Sequence, residues 1–421
     1  MSNTNKEYLA KRQLKHGTAG WILLAGLGVS YVISGDFAGW NFGIAEAGWG
    51  GFAIAAVLMA MMYLTLVLSL AEMSAAIPAA GGGYSFARQA MGPTGGYLTG
   101  LAVLIEYALA PAAIVIFIGS AVQALTGFDG PWVYGAFYLI FVGIHLGASA
   151  FLPMGWYGVW AALPFAMWLF LAVEGVPLAA EEAKNPAKDV PKGIIGAMIF
   201  LLFTALLVVV LVPGAGGAAA MGTSAVPLVD ALNATGNSRL ATLVNVLGLA
   251  GLVASFFSII YGYSRLVFAL SRAGYLPRSL SLTSKRKVPV RALIVPGIFG
   301  FLASLSGEGD LMLAMAVVGA TVSYALMALS HIMLRVKQPE LVRPYKTPGG
   351  ILTSGIALVL SLVALTGVYA FDPRAFLYTV ILFAIGTVYY FAYSRKHLVA
   401  HSAQEEFAML QEAESELAIA D

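Results

Sequence analysis

Long apolar segments recur along almost the whole chain, and they restrict its possible folds more than any other feature. Crossing the hydrocarbon of a bilayer takes about 20 mostly apolar residues. Eleven such segments are visible, near residues 21–43, 52–70, 97–122, 131–146, 157–177, 194–212, 240–264, 292–306, 311–334, 351–370 and 375–393. The sequence therefore predicts an all-α integral membrane protein whose surroundings are the lipid bilayer.

Composition supports a single membrane domain. Hydrophobic residues make up 60% of the 421 residues and charged residues 10%, whereas a soluble domain carries roughly 25% charged residues. We expect a cytoplasmic N-terminus (1–20), one transporter-like domain (21–394) and a cytoplasmic tail (395–421), with the first span retained. A net charge of +2 gives no sign of a nucleic-acid partner, and the absence of cysteine excludes disulfides and thiolate metal sites. No cofactor or metal is predicted.

The positions of Lys and Arg predict the orientation of the chain, because cytoplasmic loops are enriched in both residues. Basic residues lie at 6–15, at Arg88, and at 184–192, 265–291, 335–346 and 395–396, and the connections between them hold acids and almost no base apart from Arg239 and Arg374. We expect the basic groups and both termini to face the cytoplasm, with the chain in the inner membrane of a bacterium.

This orientation requires one more crossing than the sequence shows. Eleven crossings from a cytoplasmic N-terminus would place every basic group after residue 180 outside the cell. One extra span between Leu146 and Phe151, where the sequence is too short to hold one, would restore the rule. We therefore expect twelve spans, eleven of them visible. The alternative is a re-entrant segment at 131–146 or 292–306.

Two apolar segments carry a polar interruption. The first contains Ser34-Gly35-Asp36, and the segment at 157–177 contains Glu174-Gly175 before a proline. Paired broken helices in two halves are typical of inverted-repeat transporters that bind their substrate near the bilayer midplane. We predict a first repeat over 21–150, a second over 151–336, and two extra helices within 351–393.

Three acids lie within apolar spans: Asp36, Glu106 and Glu174. Each costs at least roughly 2.5–3.5 kcal/mol in a membrane, so such residues are functional candidates. No Lys or Arg lies at comparable depth, which favours a cationic ligand. Structural alternatives remain: Asp36 as a cap of the broken helix, Glu174 as part of the second break, and Glu106 as a hydrogen-bonding contact to a neighbouring helix.

Three stretches resemble the amino acid–polyamine–organocation transporter superfamily. They are "AAIPAAGGGYSFARQAMGPTGGYLTG" (75–100), "LFLAVEGVPLAAEEAKNPAKDVPKGI" (169–194) and "SRLVFALSRAGYLPRSLSLTSKRKVPVRAL" (264–293). The resemblance implies a leucine-transporter-like fold of two inverted five-helix repeats plus two helices. It also implies a first helix unwound at the positions of Ser34, Gly35 and Asp36. An acid there, with "FAGWNFG" and "EGVPLAAEEA", is most similar to the ethanolamine permease branch.

Carried over by position, the resemblance implies a substrate site built from three helices. Its residues would be Ser34, Gly35, Asp36, Phe37, Glu106, Tyr107, Phe170, Leu171, Ala172 and Glu174. The expected function is uptake of a small amine, ethanolamine first, by alternating access with H⁺ or Na⁺ as a possible coupling ion. The alternatives are an amino acid permease or exchanger of the same superfamily, a sensor that binds without transporting, and a membrane enzyme. Oligomeric state is left open.

Overall fold

The computed structural model describes residues 20–79, 81–126, 155–284, 287–400, 402–406 and 408–409. All of its regular elements within these ranges are helices. They are α1 (Trp21–Phe37), α2 (Phe42–Ala76), α3 (Gly83–Thr126), α4 (Gly155–Trp168), α5 (Pro186–Gly216), α6 (Ala218–Gly222), α7 (Pro227–Ala234), α8 (Ser238–Arg272), α9 (Val290–Ser304), α10 (Gly309–Lys337), α11 (Ile351–Phe371) and α12 (Pro373–Ala392). Three 3-10 segments cover Val173–Glu182, Arg278–Ser281 and Ser394–Lys396.

The predicted all-helical membrane fold is confirmed. Seven helical segments in the described part are long and apolar enough to cross a bilayer. Helices suit these sequences because a helix pairs its backbone polar groups within the segment, where lipid offers no partner. Ten of the eleven predicted segments overlap a helix. The segment 131–146 and the span expected between Leu146 and Phe151 lie outside the described residues.

The centre of the bundle is the contact between α3 and α10. A methyl group at Gly319 of α10 would lie 2.8 Å from the carbonyl oxygen of Ala102 and 3.0 Å from the amide nitrogen of Glu106. Glycine at this position therefore lets the two helix backbones touch. Their closeness brings the polar side chains of α3 and α10 into one buried layer.

The interruption near the first span lies later than the sequence predicts. Ser34, Gly35 and Asp36 are helical, and α1 continues to Phe37. Gly35 instead allows close packing, because a methyl group there would lie 2.0 Å from the carbonyl oxygen of Trp168. One helical glycine costs only about 1 kcal/mol, so it need not unwind the helix.

The chain turns between α1 and α2, at residues 38–41. Gly39 has a φ of +96°, a conformation that side chains other than glycine rarely adopt. The amide oxygen of Asn41 accepts a hydrogen bond from the Gly39 N–H at 3.1 Å, and its NH₂ donates to the carbonyl of Met221 at 3.1 Å. Asn41 therefore ties the turn to α6.

The second predicted interruption is present. Helix α4 ends at Trp168, residues 169–172 form a turn, and the 3-10 segment Val173–Glu182 follows. Ala172 has a φ of +74°, a strained conformation for a residue with a side chain. The turn lies beside α1, since Gly35 contacts the Trp168 carbonyl, so the two interruptions are neighbours in space.

Candidate functional site

Glu106 and Glu174 meet at the centre of the bundle. Glu106 is on α3 and Glu174 in the first turn of the 3-10 segment, and both are almost completely buried. The hydroxyl of Tyr324 on α10 lies 3.2 Å from Glu106 Oε1 and 2.9 Å from Glu174 Oε2. One hydroxyl therefore bridges two carboxyl groups that the sequence separates by 68 positions.

Tyr107 completes the polar layer. Its hydroxyl lies 3.3 Å from Glu174 Oε1 and 3.3 Å from the carbonyl oxygen of Ala172. Because a hydroxyl has only one proton to donate, it can satisfy one of these acceptors at a time. Gly175 makes the approach possible, since a methyl group there would lie 2.6 Å from the Tyr107 hydroxyl.

Aromatic rings enclose the carboxyl pair. The ring of Tyr63 lies 5.2 Å from that of Tyr324 and 5.4 Å from that of Phe170, and the ring of Tyr31 lies 6.1 Å from that of Tyr107. The negative faces of such rings attract organic ammonium groups. The cluster thus combines negative charge with the ring type that holds cations.

No basic side chain of the described residues forms an ion pair with Glu106 or Glu174. Two carboxyl groups this close cannot both be ionised without a counter-charge, because like charges in a low dielectric repel strongly. The pair therefore needs a proton or a cationic ligand. No group of metal-binding residues is found within the described ranges.

A small cavity adjoins this cluster. It measures about 10 Å³ and is lined by Tyr31, Val32, Ala110, Trp168, Leu171, Ala172 and Ile259. That is about the space of one water molecule. The two predicted residues Leu171 and Ala172 line it directly, so the turn after α4 forms one wall of the site, and the site is closed in this conformation.

Asp36 lies apart from the carboxyl pair. It is on the last turn of α1, it is 5% exposed, and neither carboxylate oxygen has a hydrogen-bond partner among the described residues. The side chain of Thr204 on α5 lies beside it. No hydrogen bond connects Asp36 with Glu106 or Glu174 within the described residues, and the expectation that Asp36 and Glu174 face one ligand together stays a prediction.

The remaining predicted residues divide between the cluster and the packing around it. Tyr107, Phe170, Leu171 and Ala172 join the cluster. Phe37 packs against α8, where a methyl group at Gly248 would lie 1.8 Å from its ring. Gly35 packs closely against α4, and Ser34 is a helical residue of α1.

Sequence reasoning missed Tyr324 and Tyr63. Both lie in apolar spans and are fully buried. A buried tyrosine usually needs a partner for its hydroxyl. A tyrosine in the middle of a span, such as Tyr324, therefore indicates a polar partner on another helix. Its partners come from α3 and the 3-10 segment, which no sequence spacing connects.

Comparison with known proteins decides the family. The sequence profile described as amino acid permease matches residues 144–391, more than half of the chain, and a second profile of the same description matches residues 21–163. The chain belongs to the amino acid permease family. It is a multi-pass membrane transporter of that family, and the family's activity is transport rather than catalysis.

Individual relatives differ in the substrate that their names give. The chain is 28% identical to the branched-chain amino acid permease BcaP of Bacillus subtilis, covering 94% of this chain and 95% of the relative. It is 25% identical to the methylthioribose transporter of the same organism, covering 84% and 88%. The alignment with the permease BcaP has 456 positions, more than the 421 residues here, so that relative contains segments that this chain lacks.

Among solved structures, the chain resembles the Eremococcus coleocola manganese transporter. The TM-score is 0.45 and the identity 14%, over 98% of this chain and 97% of the other.

Proposed function

We propose that this transporter moves a small molecule with a primary ammonium group, an amino acid in the first place, and that the ammonium binds at Glu106 and Glu174. The carboxyl pair carries the proposal: it is fully buried and has no basic partner in the described residues. Desolvating two acids without a counter-charge is costly. An ammonium bound between them supplies that charge and up to three donors.

The turns in the chain support a binding and release cycle. Residues 38–41 and 169–172 interrupt two neighbouring helices, and the site between them is closed to about the size of one water. A substrate can enter only if one side opens, as alternating access requires. A larger cavity of about 760 Å³ lies at the end of the bundle that carries Glu308, Asp310 and Asp372, called here the acidic end. Phe42 also lines it. We assign this cavity to the outer face.

An amino acid is the first candidate because the family profile and the relative BcaP both carry that description. Its carboxylate would need donors, and backbone N–H groups freed at the two turns are the natural ones. Ethanolamine is the second candidate, for a specific reason: Glu106 and Glu174 are two buried acids without a basic partner in the described part, which suits a ligand with no carboxylate.

Orientation and the number of spans complete the proposal. We place both termini on the cytoplasmic side of a bacterial inner membrane, on the basis of the Lys and Arg groups. We keep the expectation of a missing span near residues 146–151, because the alignment with BcaP contains segments that this chain lacks.

Matched ligand pairs test the substrate class. Binding of leucine and of its decarboxylated analogue 3-methylbutylamine should be measured on purified protein, with alanine and ethanolamine as a second comparison. If the substrate is an amino acid, removing the carboxylate lowers affinity strongly. If the amine is the substrate, ethanolamine binds more tightly than alanine. Binding of none of the four ligands would overturn the proposal.

Glu174→Gln tests the site itself. The substitution keeps the shape but removes a charge-assisted hydrogen bond of roughly 1.5–3 kcal/mol, or about 10- to 150-fold in affinity. Glu308→Gln is the matched control, because Glu308 is exposed at the acidic end. Equal affinities of the two variants would remove Glu174 from the site.

A further inference from the structure

Asp36 is the least satisfied acid in the described part of the chain. It is 5% exposed, and both of its carboxylate oxygens lack a hydrogen-bond partner. Its backbone carbonyl is engaged, since it accepts a hydrogen bond from Trp40 Nε1 at 3.2 Å. The side chain thus lies in apolar surroundings without the donors that an ionised carboxylate requires.

Its place on the helix adds to this cost. Asp36 is in the last turn of α1, where the helix dipole disfavours a negative charge. The elements packed against α1 are α5, α8, α4 and the 3-10 segment. The charged groups of α5 and α8 lie toward the helix ends: Lys188, Asp189 and Lys192 in the first two turns of α5, Arg239 in the first turn of α8, and Arg265 and Arg272 near its end. On the 3-10 segment, Glu174 contacts tyrosine hydroxyls, Glu181 pairs with Arg272, and Glu182 pairs with Arg265 at 2.8 Å. None offers Asp36 a counter-charge.

Thr204 on α5 indicates which form of Asp36 fits. Its hydroxyl proton is donated to the carbonyl oxygen of Leu201 at 3.1 Å. Because that proton is engaged, the Thr204 hydroxyl donates no hydrogen bond to Asp36, whose oxygens have no partner among the described residues. A carboxylate cannot use an acceptor, whereas a protonated carboxylic acid can donate to it. The local chemistry favours a proton on Asp36.

We propose that Asp36 is the proton-binding site of the transporter, separate from the substrate site at Glu106 and Glu174, and that the proton it holds is the coupling ion. A sodium ion is the less suitable ligand, because Thr204 is the one side-chain oxygen that the described residues are seen to bring beside Asp36, and neither residue lines the cavity of about 10 Å³ or that of about 760 Å³. Hard cations take several oxygen ligands. This inference rests on the proposed transport function.

Protonation gives a physical link to the transport cycle. With a proton, the end of α1 is neutral and stays buried against α5. Without it, the same burial leaves an unpaired charge in the membrane interior, which favours a conformation that exposes α1 to water. Loading and release of the proton would therefore bias which side of the transporter is open.

Infrared spectroscopy tests the protonation directly and does not depend on transport. The purified protein at neutral pH should show carbonyl stretching bands of buried carboxylic acids, and Asp36→Asn should lose one band that Glu106→Gln keeps, since the carboxyl pair contributes its own. If the spectra of the wild type and Asp36→Asn show the same protonated acid, Asp36 is ionised and the proposal is wrong.

Transport in proteoliposomes tests the coupling. Asp36→Asn should keep leucine or ethanolamine counterflow, whichever ligand the wild type binds, and lose accumulation driven by a pH gradient. Glu340→Gln, at an exposed acid in the turn after α10 that lines neither cavity, should keep both. Accumulation by Asp36→Asn as in the wild type, or a sodium gradient replacing the pH gradient, would overturn the proposal. Loss of substrate binding would instead place Asp36 in the substrate site.

If Asp36→Asn does not fold, Thr204→Val provides the second variant. It removes the acceptor for the acid proton and leaves the acid in place. The infrared band of Asp36 should then shift in frequency, whereas a band unchanged by Thr204→Val would contradict the pairing. A wild type that binds none of the ligands overturns the proposed function, but it leaves the infrared result on Asp36 intact.

Discussion

Glu174 and Glu181 lie on the same 3-10 segment, yet their surroundings are opposite. Glu181 makes two hydrogen bonds with Arg272, at 2.6 and 3.0 Å. Arg272 also binds Glu406 at 2.8 Å, and Glu406 binds Arg88 at 2.5 Å. Glu174 contacts the hydroxyls of Tyr107 and Tyr324 and forms no ion pair within the described residues. Two turns of chain separate a fully paired acid from one without a charged partner.

Another buried acid, Glu72, also has arginine partners. It lies at the end of the bundle that carries Arg335 and Arg343, called here the basic end. Glu72 on α2 is 1% exposed and contacts Arg335, Arg343 and His331. Glu72, Glu181 and Glu406, the buried acids named at that end, each have an arginine partner. Asp36, Glu106 and Glu174 form no ion pair within the described residues, and the roles proposed for them depend on this difference.

The largest expected effect comes from Arg272→Met. The substitution keeps much of the side-chain volume but leaves Glu181 and Glu406 buried with less counter-charge. Breaking a buried ion pair from one side costs about 3–5 kcal/mol, so thermal stability in detergent should fall sharply. The control is Arg265→Met, because the pair of Arg265 with Glu182 is partly exposed, at 10% and 15% for the two side chains.

A double variant tests whether the lost ion pairs of Arg272 cause the loss of stability. A double variant, Arg272→Met with Glu181→Gln, should recover part of the lost stability, since it removes the charge of the acid that loses both hydrogen bonds from Arg272, whereas Glu406 keeps its pair with Arg88. If Arg272→Met melts like the wild type, the ion pairs of Arg272 contribute little to stability. The difference in pairing between Glu181 and Glu174 then has no energetic consequence.

A smaller effect is expected from Tyr324→Phe. The change removes the hydroxyl that bridges Glu106 and Glu174, and leaving a buried polar group unsatisfied costs about 1–3 kcal/mol. Tyr63→Phe is the matched control, because the Tyr63 hydroxyl is equally buried but has no hydrogen-bond partner in the described residues. Melting curves of both variants should separate them, and equal losses would mean that the bridge has no energetic role.

Most of the fold follows from the sequence because span-length apolar runs in a bilayer leave the helix as the main choice. The position of the first interruption does not follow from the sequence. The sequence predicts it at Ser34-Gly35-Asp36, but Gly35 is needed for contact with Trp168, and the positive φ falls at Gly39. Glycines that serve packing and glycines that serve turns look alike in sequence.

The candidate site could be predicted only in part. Buried acids are recognisable from their cost in lipid, so Glu106 and Glu174 were identified from sequence alone. That they share Tyr324, and that Asp36 does not join them, depends on which faces of α1, α3 and α10 meet. Tight contacts such as the one at Gly319 set those faces, and hydrophobic pattern does not specify them.

The smallest expected effect concerns Asp372, an acid at the opposite end of the bundle from Arg272. It caps α12 by accepting hydrogen bonds from the N–H groups of Arg374, at 2.8 Å, and Ala375, at 3.3 Å. Its partial burial raises its pKa, but the hydrogen bond from the Arg374 side chain and those from the two backbone groups outweigh this, so the pKa lies below the ordinary aspartate value.

Because the folded state lowers this pKa, the stability that Asp372 contributes is present at neutral pH and is lost as the pH falls through the folded value. Asp372→Ala should cost about 0.5–2 kcal/mol, the usual value of a helix cap. Asp372→Asn should keep the cap and lose only the pairing with the exposed Arg374, so it should melt close to the wild type at neutral pH and show less loss of stability in acid. A larger effect for Asp372→Asn than for Arg272→Met would show that burial does not govern the strength of the ion pairs in this protein.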